Sequence, residues 1–288
     1  LTSFDSVKVV DANYFVSEKR VRDIANLMIT KQLHLTFEAV DGRTNALLRY
    51  STETWAAMRY AGIYSILIGA ESGENCTLEY INKGATVEQT LGLVRRCRDY
   101  GIKIFLSCAV GWNARRYAEN DINQVFSQEV NALTDLCSQC MEILPDRVNM
   151  LLFFYGPQPG TSLYDEAIEC GFKPYKSFRE WGQYDLTNVI PPWMQGLSKS
   201  NIRRFKMLQY IMNLLGYNYP NIASRLPAVA KIPAMCLIAA ARKVARVRLK
   251  HKRLSIGLDR IAMQFIEDLF RRVNRHVKML HLHDMINK

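Results

Sequence analysis

The chain has 288 residues, 49% of them hydrophobic, with a formal net charge of +11 and seven cysteines. That length supports one large core, or a core with an extension, and there is no run of about eighteen apolar residues to make an ordinary membrane span. The odd, scattered cysteines argue against a disulfide framework and lead to the expectation of a reduced, cytoplasmic compartment.

In chain order, five short apolar runs recur: Val7–Asp11, Leu33–Val40, Ile63–Ile68, Ile102–Val110 and Val148–Tyr155. Helical patterns separate them, which predicts βα units and a parallel sheet. Ser17 opens the first helix, with Val21, Ile24, Leu27 and Met28 on its expected inward face. Thr52 is the expected cap of the next, with Trp55 and Met58 inward and Gly62 just past its end. Thr86-Val-Glu-Gln89 is a capping box, in which the Thr hydroxyl and the Gln side chain satisfy free amides reciprocally. Gly101 follows that helix where left-handed geometry is tolerated.

A longer helix over Asn120–Leu144 sets Phe126, Val130, Leu133, Cys137, Cys140 and Leu144 on one stripe, closed by Pro145. The stripe decides how Cys137-Ser-Gln-Cys140 is read: both sulfurs take core positions, where cysteine acts as a small hydrophobe. The other five cysteines lack metal-ligand spacing, and His281-Leu-His283 has no acidic or Cys partner at such spacing. No Walker A loop, GxGxxG or GxSxG is present.

Polar residues gather where the predicted strands stop. In order these are Asp11 and Asn13; Asp41, Gly42 and Arg43; Glu71, Ser72 and Gly73; Ser107 to Gly111; and Phe153 to Tyr155 followed by Gly-Pro-Gln-Pro-Gly160. Each residue singly suits a turn or a cap. Together, at the carboxyl ends of parallel neighbours, they suit a polar, zwitterionic small ligand with a flat ring.

Residues 1 to about 195 resemble the radical S-adenosylmethionine superfamily, in particular the branch associated with cobalamin-binding domains. The resemblance rests on the order and spacing of Val9-Val10-Asp11-Ala12-Asn13-Tyr14-Phe15, Arg43, Ala61-Gly62, Ile-Gly-Ala-Glu71-Ser72-Gly73, Leu78 to Lys83, Tyr100-Gly101-Ile102 and Pro159-Gly160-Thr161. It implies an α/β fold: a partial (β/α)6 TIM-like barrel of which strands two to six are visible, followed by a C-terminal helical extension. It also implies a 4Fe-4S cluster, S-adenosylmethionine cleaved to a 5′-deoxyadenosyl radical, and cobalamin as a further cofactor. A small-molecule or lipid-like substrate and a reductant such as ferredoxin or flavodoxin would complete the system.

By family position, Glu71 would hold the ribose or amino end of the cofactor, with Ser72 and Gly73 shaping that turn. Arg43 would sit near the carboxylate. Ser107 to Gly111 and Phe153 to Tyr155 would flank the adenine, and Asp11 and Asn13 would border the site. Two features depart from the family. The CxxxCxxC cluster loop is absent, and Gly111-Trp-Asn-Ala-Arg-Arg116 replaces the usual Gly-x-Pro turn. With Leu1 standing directly ahead of a strand, the missing loop leads to the expectation of a fragment truncated upstream.

From Lys199 onward, 19 Lys and Arg face 4 Asp and Glu, a net +15, while residues 1–198 carry −4. The shift divides the chain into 1–197 and a basic helical extension, 198–288. Phe205, Leu208, Ile211, Met212 and Leu215 form one amphipathic face, and Ile261, Phe265, Leu269 and Val273 suggest a final packed helix. The extension is expected to pack on the barrel; an anionic membrane surface is the alternative, and nucleic acid is disfavoured because interleaved aromatics are missing. Two other function classes stay open from the residues: a conventional α/β-barrel enzyme using Glu71 as acid or base, and a non-catalytic docking module.

Overall fold

Residues 6–182, 189–216 and 228–255 are described by a computed structural model of the chain. Among the described residues six short strands carry the architecture: β1 (Ser6–Lys8), β2 (Thr36–Glu38), β3 (Val40–Gly42), β4 (Ser65–Glu71), β5 (Lys103–Val110) and β6 (Val148–Phe154). Every ladder is parallel, with β1 on β2 and the order β3-β4-β5-β6 in the larger sheet. The result is an open α/β arrangement with its strands in chain order.

The run Leu33–Val40, expected as one strand, is two. Ala39 adopts φ 50°, a left-handed conformation that interrupts the ladder. Its N–H donates instead to Ser65 Oγ at 2.8 Å, which accounts for a hydroxyl in an otherwise apolar strand. The segment before the break pairs with β1, and the segment after it pairs with β4.

The connecting helices are α1 (Glu18–Thr30), α2 (Thr44–Leu48), α3 (Thr52–Tyr60), α4 (Asn75–Tyr80), α5 (Val87–Tyr100), α6 (Ala114–Glu119), α7 (Ile122–Ile143), α8 (Tyr164–Glu169) and α9 (Phe178–Trp181). Ser17 caps α1 and the capping box opens α5, as expected. Ser51, not Thr52, caps α3, accepting the Thr54 N–H at 3.3 Å. Val21 and Met28 of α1 are buried, but Ile24 and Leu27 are 38% and 58% exposed, because this outer helix packs mainly on α3 and uses a narrower stripe completed by Ala25.

Period-two alternation sorts the sheet into two faces. Ile66 and Ile68, Ile104, Leu106, Cys108 and Val110, and Met150, Leu152 and Phe154 align across the register and are buried. Phe154 on this face stacks with Phe126 of α7. Val130, Leu133, Cys137 and Cys140 complete the α7 stripe, fully buried as expected, and burial pushes both thiols up. The opposite face carries Gly69 beside Ser107, with Ala109 and Phe153, and Glu71, which pairs with Cys108 across a register shift, folds its carboxylate back over Gly69.

The basic region begins with α10 (Lys199–Leu215), capped by Ser198 at the charge boundary. Its apolar face enters the same core: Phe205 meets both Phe126 and Phe154 edge-on. Gln209 Nε2 donates 2.8 Å to Leu152 O, helping to cover the outer edge of β6. The last described helix, α11 (Ala228–Lys250), packs on α10 and α7. Arg242, 6% exposed, donates to the carbonyls of Leu214, Leu215 and Gly216 at the carboxyl end of α10 and to Asp146. The expected packing of this segment is therefore present. Among the described residues no helix is long and apolar enough to cross a membrane. The suggested helix at Ile261–Val273 and the pair His281 and His283 lie outside the described residues.

Candidate functional site

Glu71 ends β4 across an irregularity in the β4–β5 ladder and takes φ 63°. A non-glycine residue pays about 1–2 kcal/mol for left-handed geometry, so surrounding contacts must hold it. Lys83 Nζ sits 2.8 Å from Glu71 Oε1, both side chains about three-quarters buried. Trp112 Nε1 donates to the Glu71 carbonyl at 3.2 Å. The turn closes with Ser72 N–H on Ala70 O at 2.8 Å and Glu74 N–H on Ser72 Oγ at 3.1 Å. A Cβ on Gly69 would lie 2.2 Å from Glu71 Oε1 and 2.9 Å from Lys83 Nζ, so the ion pair lies over the strand in the space a side chain would take, and a larger residue would push these two flexible side chains aside. A Cβ on Gly73 would lie 2.4 Å from Ala132 O, and its absence seats the turn on α7.

An aromatic wall stands beside this pair. Trp112 stacks on Tyr155 with centroids 4.4 Å apart, and Tyr155 approaches Trp193 at 6.2 Å. Trp193 Nε1 donates to Gly111 O at 3.0 Å, while Gly111 N–H donates to Glu129 Oε2 at 2.8 Å. Tyr117 OH donates to the same Oε2 at 2.8 Å. Burial pushes the Glu129 carboxyl up to about 7 against these two donors, and Oε1 is left without a partner among the described residues. A proton on Oε1 fits that arrangement. Arg116, 2.7 Å from Glu74, ties α6 to the loop after β4. The turn that departs from the family pattern is thus held from both sides.

The residues expected at the site divide. Glu71 and Tyr155 are joined through Trp112, Gly111 is joined to Tyr155 through Trp193, and Ser72 and Gly73 continue the Glu71 turn. Ser107 and Phe153 share its sheet face but lie inside strands rather than at their ends: Ser107 pairs with Gly69, and Phe153 with Ala109. Strand β5 continues three residues past Ser107, because Cys108, Ala109 and Val110 are all buried against neighbours. Arg43 is exposed at the start of α2, one residue beyond the Gly42–Ile68 register pair. Strand β1 stops at Lys8, short of the expected Asp11, so Asp11 and Asn13 lie in the turn that leads into the 3-10 helix Tyr14–Val16. Asp11 Oδ1 accepts the Asn13 N–H at 3.0 Å, and Asn13 Oδ1 is buried without a partner among the described residues. No described hydrogen bond links Asp11, Asn13 or Arg43 to Glu71.

Glu129 and Trp193 were not legible as site residues. The available signal for Glu129 was its place three residues after Phe126 and four before Leu133, a carboxylate on an apolar stripe. Trp193 carried none, since its partner is a backbone carbonyl 82 residues away.

No family model matches the chain. The uncharacterized methyltransferase PH0819 of Pyrococcus horikoshii is 22% identical over 163 residues, 56% of this chain, and the chain spans 31% of that protein's length. Among solved structures, the radical S-adenosylmethionine methyltransferase TsrM from Kitasatospora setae, with cobalamin and a 4Fe-4S cluster bound, is 18% identical with TM-score 0.42, over 57% of this chain and 30% of that one. The cobalamin-dependent S-adenosylmethionine radical enzyme OxsB, with aqua-cobalamin bound, is 15% identical with TM-score 0.47, over 93% of this chain and 42% of that one.

Proposed function

We propose that the Glu71 edge of the sheet binds S-adenosylmethionine and that the chain is part of an enzyme transferring the methyl group of that cofactor, in the radical, cobalamin-associated manner that the sequence resembles. The observation that carries this is the held carboxylate: Glu71 in a left-handed turn, fixed by Lys83 and Trp112, beside the Trp112–Tyr155 stack. A carboxylate of this kind suits the ribose hydroxyls or ammonium of the cofactor, and the aromatic wall suits a flat ring. The methyltransferase name of the Pyrococcus horikoshii relative supports the same direction.

The residues present fit part of this cofactor set. Gly69 leaves the space in which the Glu71–Lys83 pair lies over the sheet face that carries Ser107, and Phe153 and Tyr155 would complete a pocket for the adenine. S-adenosylmethionine would supply an electrophilic methyl group or, on reduction, an adenosyl radical. Glu71 and Lys83 would orient it, and Trp112, Tyr155 and Trp193 would exclude water. The partial barrel and the division at residue 198 belong to this proposal, with a small-molecule substrate and an electron donor as partners.

A cluster does not fit these residues. Cys97, Cys108, Cys137 and Cys140 are buried, and no group of three or more metal-binding side chains occurs among the described residues. Three thiolates are needed, so no step is assigned to a cluster, and none to cobalamin. Acid or base catalysis by Glu71 is served less well, because Lys83 already occupies Oε1.

The test is equilibrium dialysis of labelled S-adenosylmethionine against the purified protein. Saturable binding is expected, weakened about tenfold, or about 1.4 kcal/mol, in both Lys83→Met and Trp112→Ala. Absent binding, or binding that both variants retain, would overturn the proposal.

A further inference from the structure

The first turns of α10 and the loop that ends α11 line an open concavity of about 490 Å³, to which no residue of the Glu71 turn contributes. Ser200, Arg203 and Arg204 line it from α10; Lys252, Arg253 and Ser255 line it from the loop. Among the described residues four cations and no carboxylate line this space. Two of them are anchored: Arg204 donates to Asn131 Oδ1 at 2.9 Å, and Lys252 meets Asp135 at 2.6 Å. Arg203 and Arg253 have no ion pair or side-chain hydrogen bond among the described residues, and both are exposed.

The loop is built rather than merely basic. Lys252 takes φ 52°, a conformation unfavourable for a residue with a side chain. Leu254 is 3% exposed and anchors the turn, while Arg248 Nε donates to Arg253 O at 3.0 Å and Arg253 N–H to Arg248 O at 2.8 Å. These contacts bring cations about fifty residues apart in sequence to one concavity. A solvated basic face needs no such arrangement, since like charges separate into water when nothing holds them together. The α10 amino terminus adds its partial positive charge on the same side.

We propose that this pocket binds a phosphate group. A phosphate monoester carries close to two negative charges and three strong acceptor oxygens, matched by the Arg203 and Arg253 guanidinium forks, which have no partner among the described residues, with the Lys252 ammonium, paired with Asp135, beside them. The phosphate belongs either to a free phosphorylated compound or to a phospholipid headgroup. The second source is served by Val244 and Val247, which are exposed on α11 among Lys243, Arg246 and Lys250.

Calorimetry of pyrophosphate against the full chain, with chloride matched for ionic strength as control, tests the pocket. Sedimentation with phosphatidic acid/phosphatidylcholine vesicles, against phosphatidylcholine alone, tests the source. Binding that falls at least about tenfold in the double variant Arg203→Ala/Arg253→Ala, and is kept by Lys206→Ala, supports the proposal. Uptake by pyrophosphate alone identifies a free ligand; uptake by acidic vesicles, with or without pyrophosphate, identifies a headgroup. No binding in either arm, or binding that the double variant keeps, overturns it. Both arginines are exposed, and an unchanged melting temperature shows that the variant folds.

Discussion

At the carboxyl edge of β4, β5 and β6, carboxylates meet donors from other loops: Glu71 meets Lys83, Glu74 meets Arg116, and Glu129 meets Tyr117 and the Gly111 amide. On the α10–α11 side several cations are consumed in the same way, Arg242 on three carbonyls and Asp146, Arg246 on Asp146 and Lys252 on Asp135, while Arg203 and Arg253 line a cavity without partners among the described residues. The first region spends its charge on fixing a geometry, so its field is short-ranged. The second keeps net positive charge, whose effect on an anion reaches about a Debye length, 8 Å at physiological salt. Pairing thus separates residues that build a site from residues left to recruit a ligand.

The largest expected effect comes from breaking the pairing that ties α11 to the end of α10 and to the turn before β6. Arg242→Ala leaves three carbonyls at the end of α10 without their donor, and a loss of about 3 kcal/mol is expected in urea unfolding. An Arg242→Ala protein as stable as the parent would show that water replaces the guanidinium. Next is the protonation of Glu129. Its folded value of about 7 lies above the ordinary 4.5 because burial disfavours the charge. Its stabilising contribution is therefore full below pH 4.5 and is lost as pH rises through 7, about 3 kcal/mol in all. Urea midpoints at pH 5 and pH 8 should diverge in the parent and converge in Glu129→Gln; equal slopes in both would remove Glu129 as the cause.

Smaller is the Trp112 indole bond. Trp112→Phe keeps the stack on Tyr155 and loses only the donor to Glu71 O, so a cost of about 1 kcal/mol in stability is expected, against about tenfold in S-adenosylmethionine affinity for the full truncation. A Phe variant as damaging as Ala would show that the donor matters and the stack does not. Smallest is Asp135→Asn. The Lys252–Asp135 pair is about half exposed, and such pairs contribute about 0–1 kcal/mol, so the unfolding midpoint should barely move while the cavity gains positive charge.

Much of the fold was readable because it follows local rules. The α7 stripe, the α5 capping box and Gly101 at φ 65° depend on residues within a few positions of one another. The break at Ala39 was not readable, since its cause is the Ser65 hydroxyl 26 residues away. Ile24 and Leu27 show the same limit: periodicity marks an apolar face, but how much of it is covered depends on the neighbour supplied.

The candidate site divides along the same line. Sequence alone placed Glu71 where a buried strand breaks, and the turn Ser72-Gly73 after it, because a carboxylate after an apolar run has to be accommodated at the strand's end. Only the tertiary structure decided what it meets. Lys83 arrives from the end of α4, Trp112 from the turn after β5, and Gly69 leaves the room for them. The basic tail was legible as a charge count, yet which of its arginines cap a helix and which line a cavity depends on contacts across 26 to 96 residues, as Arg242 shows. Hydrophobic period and turn chemistry act over a few residues and are written in order. Ion pairs and stacked rings act through space, and chain order does not fix them.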